Sequence, residues 1–489
     1  MKLDTMLKNL RPLGIQGTPQ GEAEGVVCDS RQVRDGFVFV AVAGSQCDGR
    51  DFADDAFARN AAAVVSEDPG RTRPGECWVR VEDSREALAE LSAVFYGRPS
   101  SRLRVAGITG TNGKTTVAYM LCSVLEAAGL GAGLISTVEY RIGGRAIPAT
   151  RTTPEAPLLQ SLLAQMVDAG CAAAVIEVSS HALVQKRTVG IEYDVGVMTC
   201  LTRDHLDYHG DMESYFEAKR ILFKTLGRGG KHATAVINRD DPWGRRLVEL
   251  GGIAADVLTY GAGPEADVRA VQIRPAEGGS AFQLETPWGI RPVSLQLMGR
   301  YNVANALAAA ASAGALGIDL DRIAGVLSTV RHVPGRLEEI RNRAGIKVFV
   351  DYAHTDDALA NVLTTLREAG RGRLVVVFGC GGNRDSSKRP VMGEIASRLA
   401  DHAIVTSDNP RGEDPDEIIA QVMAGAPNAP NVAAVADRLE AIRRGLDMAQ
   451  PGDVVLIAGK GHENFQEFAN NTVPFDDRQA VRELLDGRL

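Results

Sequence analysis

No C-x-x-C pair occurs among the seven cysteines of this chain, and their scatter offers no disulfide framework. Reduced thiols in a cytosol are the expectation; Cys171 and Cys380 read as small apolar fillers rather than nucleophiles or ligands. There is no surplus of positive charge: 54 basic residues against 62 acidic ones leave a net charge of −8. A general nucleic-acid binder, which needs a basic face, is thereby excluded, though a local basic pocket is not. No apolar run reaches bilayer length, and the longest small-apolar stretch, 306–318, is dominated by alanine. Residues 1–14 mix polar and apolar side chains and hold no apolar core of signal-peptide length. Internal repeats and low-complexity tracts are missing too. What remains is an ordinary globular composition, 24% charged and 45% hydrophobic over 489 residues, long enough for about three domains. A cytoplasmic protein with no membrane insertion and no nucleic-acid partner is expected.

What the chain does have is concentrated at Gly107–Thr116, Gly-Ile-Thr-Gly-Thr-Asn-Gly-Lys-Thr-Thr. An apolar run, Leu103–Ile108, precedes this turn. After it Val117, Met120, Leu121, Val124, Leu125 and Ala128 recur at helical spacing. Glycines let backbone N–H groups crowd around phosphate oxygens, Lys114 supplies a point charge, and a threonine hydroxyl can reach Mg²⁺. The common G-x-x-x-x-G-K-[ST] spacing fails, because five residues separate Gly107 from Gly113 and Asn112 stands in the second glycine's place. Nucleoside triphosphate chemistry is the first expectation, on a variant of the phosphate loop.

Around this turn the chain divides. The first hundred residues carry short apolar runs (Gly36–Val42, Ala61–Val65) and a helical pattern over Asp51–Asn60, and Gly97–Ser101 reads as a linker. From Leu103 to about Val330, strands (Leu103–Ile108, Ala172–Val178, Asp194–Leu201, Thr234–Ile237) alternate with helices, which predicts a parallel sheet covered on both faces. Between about 255 and 298 short polar strands suggest a small antiparallel insertion, and a helix is expected over Asn302–Leu316. His332–Arg336 is a second hinge candidate. Beyond it, strands at Lys347–Asp351, Leu374–Phe378, Ala403–Ser407 and Val454–Ala458 suggest a doubly wound unit of their own. The predicted fold class is α/β in three domains: a small N-terminal α/β domain (1–100), a central phosphate-loop ATPase with a parallel sheet (101–334) and a C-terminal Rossmann-like domain (335–489).

In open α/β sheets ligands bind beyond the carboxyl ends of strands. Polar clusters sit at such ends here: Glu177 followed by Ser179-Ser180-His181, and Thr202-Arg203-Asp204-His205. A carboxylate and an imidazole on neighbouring strands beside a phosphate loop can hold Mg²⁺ or its waters against a triphosphate. Taken alone, Glu177 reads more often as a paired structural carboxylate and His205 as a surface loop histidine; their placement near the loop favours the metal reading.

Seven motifs in order, GTNGKTT at 110–116, EVSSH at 177–181, DHLD at 204–207, GRYN at 299–302, PGR at 334–336, DYAHT at 351–355 and GKGHE at 459–463, resemble the Mur ligases over nearly the whole chain. The resemblance implies an ATP-dependent, amide-forming enzyme of peptidoglycan synthesis. Asp408-Asn409-Pro410-Arg411 narrows it to members that add meso-2,6-diaminopimelate to the D-glutamate γ-carboxylate of UDP-MurNAc-L-Ala-D-Glu, releasing ADP and phosphate, as a monomer. By motif, Gly110, Thr111, Asn112, Gly113, Lys114, Thr115 and Thr116 would cradle ATP, with Asn302, Asn305, Arg336 and Asp351 on its nucleoside or phosphates. Cys28, Ser30, Ser45, Gln46 and Cys47 would touch the uridine end; Thr152, Thr153, Ser179, Gln185 and Arg187 would hold the muramoyl-peptide. Arg384, Asp408, Asn409, Pro410, Arg411, Gly459 and Glu463 would bind diaminopimelate. Lys114, Glu177, His205 and Lys219 would be catalytic. Mg²⁺ would sit at Thr115, Glu177 and His205, and on Lys219 once that lysine is carbamylated, a role that spacing alone does not suggest, since an ordinary solvated helix lysine fits Ser214–Arg220 as well.

Two departures stand out: Asp356, where the family often has proline, and Phe465, where tyrosine is usual. His354 and His462 follow strand ends and either line a cleft or cap backbone; Lys460 and Lys388 either orient phosphate or face water. Arg411 could be a turn arginine at the surface. As the specificity residue, it would grip the second carboxylate of diaminopimelate, which lysine lacks. The alternatives are a lysine-adding or folate-glutamylating ligase of the same superfamily and, in another class, a nucleotide-gated binding protein. Domain closure is expected about pivots near Ser100 and Pro334, because an acyl phosphate must be kept from water.

Overall fold

The computed structural model describes residues 1–44, 47–68, 73–276 and 278–486. Among them lie three sheets and a two-stranded ribbon, Phe465–Phe468 with Asn471–Pro474. The first sheet has five strands in the order Gly14–Gln16, Trp78–Arg80, Ala63–Ser66, Phe37–Val40, Gly25–Val27, all parallel except the first.

The second sheet holds the phosphate loop. Its parallel centre runs Asp256–Gly261, Thr234–Asn238, Val195–Met198, Arg104–Thr109, Ala173–Glu177, Ala132–Ile135. The inner strands Val195–Met198, Arg104–Thr109, Ala173–Glu177 and Ala132–Ile135 are largely apolar because both faces are covered. On one face pack Lys114–Ala127, Arg300–Ala315 and Leu320–Leu327; on the other, Ala156–Asp168, Met212–Thr225 and Pro242–Leu250. The alanine-rich segment that is too short for a membrane is therefore a buried helix, its methyl groups allowing close approach to Lys114–Ala127. No helix among the described residues is long and apolar enough to cross a membrane.

The expected antiparallel insertion is corrected. Val268–Ala276, Gly279–Thr286 and Gly289–Leu295 do pair antiparallel with one another. However, Val268 and Arg269 also pair in parallel with Tyr260 and Gly261, so the hairpins extend the central sheet to eleven strands. Two further strands, Glu139–Ile142 and Arg145–Pro148, extend its other edge.

The third sheet has six strands in the order Glu338–Ile340, Lys347–Asp351, Val454–Ala458, Leu374–Cys380, His402–Ser407, Val432–Ala434, with only the first antiparallel. Its centre shows the doubly wound pattern expected from the spacing of its strands. The two pivot candidates are tighter than linkers. Pro99–Arg102 forms a 3₁₀ turn in which Ser100 is fully buried, its Oγ accepting from Glu192 N at 3.1 Å. Gly335, at φ +65°, lies so close to the 461–462 backbone that a Cβ there would stand 2.3 Å from His462 N.

Candidate active site

The phosphate loop leaves strand Arg104–Thr109 and enters helix Lys114–Ala127, with Gly110 at φ +145° and Gly113 at φ +88°. Both glycines are dictated by space as well as by φ: a Cβ on Gly110 would sit 1.8 Å from Thr199 Oγ1, and one on Gly113 would sit 2.4 Å from Asn305 Oδ1. Lys114 opens the helix and folds back, donating to Gly110 O and Thr111 O at 2.9 Å each. Burial pushes its ammonium below the ordinary lysine range, partly opposed by Glu177. Thr111 Oγ1 ties the loop to Thr202 and lies 3.2 Å from Tyr215 Oη.

Two clefts meet at this loop. One, of about 260 Å³, is walled by Thr116, Cys200, Tyr260, Asn302 and Asn305, with Asp351, Asp357 and Asn361 from the third unit. The other, of about 290 Å³, is walled by Lys114, Glu177, His205, Arg384, Asp408, Asn409, Arg411, Gly459 and Glu463. Asn112, Gly113, Thr115 and Arg336 line both, so the loop stands where the two open into one path. Arg336 Nη2 donates to Thr115 Oγ1 at 2.9 Å, and its guanidinium lies 4.7 Å from the Tyr352 ring centroid.

Glu177 ends its strand, and its carboxylate accepts from Thr115 Oγ1, Thr137 N and Thr137 Oγ1 at 3.0–3.1 Å. It is thus both a tied structural carboxylate and a wall of the second cleft. His205, at φ +56°, pairs with Asp204, Nε2 to Oδ2 at 3.3 Å. Burial pushes the His205 imidazolium well down, partly opposed by Asp204. The solvated reading of Lys219 is overturned: the residue is 1% exposed and Nζ donates to Gly110 O at 2.9 Å, the carbonyl that also takes Lys114. Burial and then the Lys114 charge drive Lys219 far below its ordinary range.

In the third unit, Asp351 accepts from Leu337 N and Ala353 N at 2.6 and 2.7 Å, and burial raises its carboxyl. Lys460 does not face water. It is fully buried, donating to Asn409 Oδ1 at 2.9 Å and Glu463 Oε2 at 3.0 Å, so it joins two of the predicted amino-acid-binding strand ends. Burial works against the Asp408 charge, yet Lys460 and Arg438 hold it below its ordinary range; burial raises Glu463. Arg411 is not a bare turn arginine. Its Nε donates to Glu467 and its Nη1 to Gly382 O, both at 2.9 Å, and Nη2 makes no hydrogen bond among the described residues. Pro410 sits beside this wall but is not part of it. Phe465 keeps an aromatic face 5.5 Å from Lys460 Nζ. Lys388 lines the second cleft at the start of helix Lys388–Leu399.

His354 lines the same cleft, and its Nδ1 is 2.8 Å from Tyr352 O, which fixes the proton on Nδ1 and leaves Nε2 free. Burial pushes His354 down to about 4, helped by Lys388. An unfolded chain takes up this proton near pH 6.5, whereas the folded one does so only near the lowered value, so stability rises with pH across that window. His354 is expected to account for about 1–2 kcal/mol of the stability lost between about pH 7.5 and about pH 5. Denaturant unfolding of His354→Asn should show a correspondingly shallower pH dependence. His462 also packs on Tyr352, with its ring centroid 5.0 Å away and burial pushing it to about 3.

A third cleft, of about 150 Å³, opens between the first two units and is lined by Cys28, Arg85, Glu155, Gln185 and Arg187. Arg187 is held by Thr153 O, Gln185 Oε1 and Glu155. Thr153 Oγ1 ties Glu177 O to Ser179 N, a pin behind the wall, while Thr152 lines the second cleft. Ser30 is buried at the start of a 3₁₀ turn outside this lining and Cys47 is exposed; Ser45 and Gln46 lie outside the described residues. Residues missed in the sequence include Asp357 and Asn361, one helical turn apart on Asp356–Ala369, and Thr137, which anchors Glu177. A helix starting immediately after DYAHT was the available signal for the first two.

A phosphate loop opening onto two clefts, both of them shared with a second α/β unit, defines a nucleotide-using enzyme of several domains. The chain belongs to the Mur ligase family. The Mur ligase middle domain matches residues 108–313, the Mur ligase glutamate ligase domain 335–461, and the Mur ligase family catalytic domain 22–96. It is 46% identical to the UDP-N-acetylmuramoyl-L-alanyl-D-glutamate–2,6-diaminopimelate ligase of Geobacter metallireducens over 98% of both chains, and 46% identical to that of Geobacillus kaustophilus over the full length of both. A solved structure of a ligase of the same name superposes with a TM-score of 0.70 at 34% identity, covering 100% of this chain and 99% of the other. The Thermotoga maritima MurF ligase with ADP shares the fold, with a TM-score of 0.66 at 22% identity over 96% and 99% of the chains. This chain is an ATP-dependent ligase joining an acid to an amino acid.

Proposed function

We propose that the chain adds meso-diaminopimelate to UDP-MurNAc-L-Ala-D-Glu in the cytoplasm, as a peptidoglycan precursor enzyme, with residues 1–100, 101–334 and 335–489 holding nucleotide sugar, ATP and amino acid respectively. The observation that carries the reading is the junction of two clefts at Thr115 and Arg336. A nucleoside in the first puts its terminal phosphate at the junction, and an amine in the second approaches from the opposite side. The peptide carboxylate attacks the γ-phosphorus, ADP leaves, and the resulting acyl phosphate is attacked by the amine, expelling phosphate. Phosphoryl transfer asks for positioning and charge neutralisation more than covalent help, which Lys114 and Arg336 supply.

The donors around Glu177 suit Mg²⁺. This hard cation takes oxygen ligands, keeps several waters, and binds through one or two carboxylates plus substrate phosphates. Glu177 and Thr115 offer oxygens 3.1 Å apart in the cleft wall, and His205 lines the same cleft. When bound, Mg²⁺ would neutralise charge on the phosphates. Lys219 as a free amine is a donor to Gly110 O; only as a carbamate would it join them.

Arg411 is the proposed reader of the amine substrate's far carboxylate, with Nη2 as the available donor and Glu467 fixing its angle. Phosphate release should require both the UDP-dipeptide and the amino acid; release independent of them would leave a nucleotide-gated binder instead. In a panel of diaminopimelate, lysine and ornithine, the first should be preferred. Arg411→Ala should cost diaminopimelate roughly 10–100-fold more in kcat/KM than lysine, because only the former leaves a carboxylate unpaired. Equal losses for both amines would overturn this role.

A further inference from the structure

Asp356 and its neighbour open helix Asp356–Ala369, where the dipole favours negative charge, and Thr355 caps the same turn by accepting from Ala358 N at 3.2 Å. Both carboxylates reach out of their own unit. Arg203 Nη2, from the loop after strand Val195–Met198, lies 2.8 Å from Asp356 Oδ2. Asn112 Nδ2, from the phosphate loop, donates to Asp357 Oδ2 at 2.9 Å, and Thr202 Oγ1 approaches the same oxygen at 3.5 Å. The other Asp356 oxygen is buried without a hydrogen bond, so Arg203 is the partner of that carboxylate among the described residues. One turn of helix thus meets both loops that carry the phosphate site.

We propose that Arg203 and Asp356 are positioning residues that clasp the C-terminal unit onto the phosphate loop and hold the two clefts in register. The clasp explains how an activated acyl group is sealed from water, and that purpose rests on the ligase reading above. The contact itself does not, since it joins units whatever the substrates are. Asp356 does not touch reacting atoms; it acts through the placement of Asp357, Asn112 and the cleft walls. The pair is partly open to solvent on the Arg203 side, so salt weakens it.

Three measurements on the full chain test this. Asp356→Asn should raise phosphate released per amide formed roughly threefold or more, while KM for the UDP-dipeptide changes by less than about twofold. Arg203→Glu should behave alike, and the charge-swapped double variant Arg203→Glu, Asp356→Arg should return towards one phosphate per amide, which loss of folding could not produce. Small-angle scattering with a non-hydrolysable ATP analogue should show both single variants more extended than the wild type, and only the wild type should expand on adding salt. Scattering curves unchanged by either variant would overturn the clasp even if ligation proceeds as proposed. Expansion of the variants in a protein that ligates none of the panel would leave the clasp standing and sink the substrate reading. A double variant no better coupled than its parents would also overturn it.

Discussion

Lys219→Ala is expected to lower kcat by on the order of 10²–10³-fold, the cost of losing one preorganised charged group at a phosphoryl-transfer site. Part of the activity should return when a short carboxylate such as acetate is supplied. Two lysine amines converge on Gly110 O, each at 2.9 Å, and two ammonium ions on one carbonyl in a buried site repel each other. Lys219 is the more deeply buried, so it is the one driven far below its ordinary range. A neutral amine is what CO₂ requires. The Nζ lone pair forms the C–N bond, one C=O π bond opens onto oxygen, and the amine loses a proton to water, leaving a carbamate anion. The product would set an anion near the Lys114 charge in place of an amine that this charge opposes; Nζ lies 4.5 Å from the Tyr215 ring centroid. Alanine leaves room there for a small carboxylate. A ¹³C-carbamate resonance that appears with labelled CO₂ in the wild type and is absent in Lys219→Ala would accompany the kinetic loss. Full activity in the unrescued variant would rule the role out.

Local signals made the centre of this site legible in the sequence. The apolar run, the glycines and Lys114 lie within about a dozen residues, and Glu177 and Asp351 each end a strand whose apolar run is easy to see. The outer strands were harder. Glu139–Ile142 and Arg145–Pro148 form a half-exposed edge whose mixed composition lacks a buried strand's continuous apolar pattern, and the polar hairpins of 268–295 hid their pairing with Tyr260.

Contacts that join the units could not be read from spacing at all. Asn112 and Asp357 are 245 residues apart, Thr115 and Arg336 221 apart, and nothing local to either partner announces the other. Charge state was equally hidden. Lys219 sits in a helix whose sequence suits a surface, and only the packing of Tyr215 and the loop above it shows that its amine is excluded from water. Lys460 likewise reads as a strand-end lysine that orients phosphate or faces water until Asn409 and Glu463 are seen to accept its hydrogen bonds. For Lys219 the resemblance implied a place at the phosphate site and for Lys460 the sequence left the role open; geometry shows which oxygens each amine donates to.

Asp477→Ala should destabilise the protein by about 3–5 kcal/mol, the largest stability loss expected from a side chain outside the clefts. Arg438 and Asp477 are both fully buried and paired through Nε–Oδ1 and Nη2–Oδ2, each at 2.8 Å. The same guanidinium donates to Ser407 O at 3.2 Å and Ala458 O at 3.0 Å. Those carbonyls end the two strands that lead directly into Asp408–Arg411 and Gly459–Glu463, so one ion pair sets the spacing of the proposed amine site from behind. Removing Asp477 strands a buried cation. Removing both charges, as in Arg438→Met with Asp477→Leu, should recover much of the stability, because a buried pair replaced by apolar groups is often near neutral. It should not recover the site, since the two strand ends lose their shared donor. Denaturant unfolding is therefore expected to separate the two variants, while KM for the amino acid rises in both and KM for ATP, bound through the other cleft, stays within about twofold of the wild type. An apolar double variant with an unchanged amino-acid KM would show that Arg438 serves the core alone.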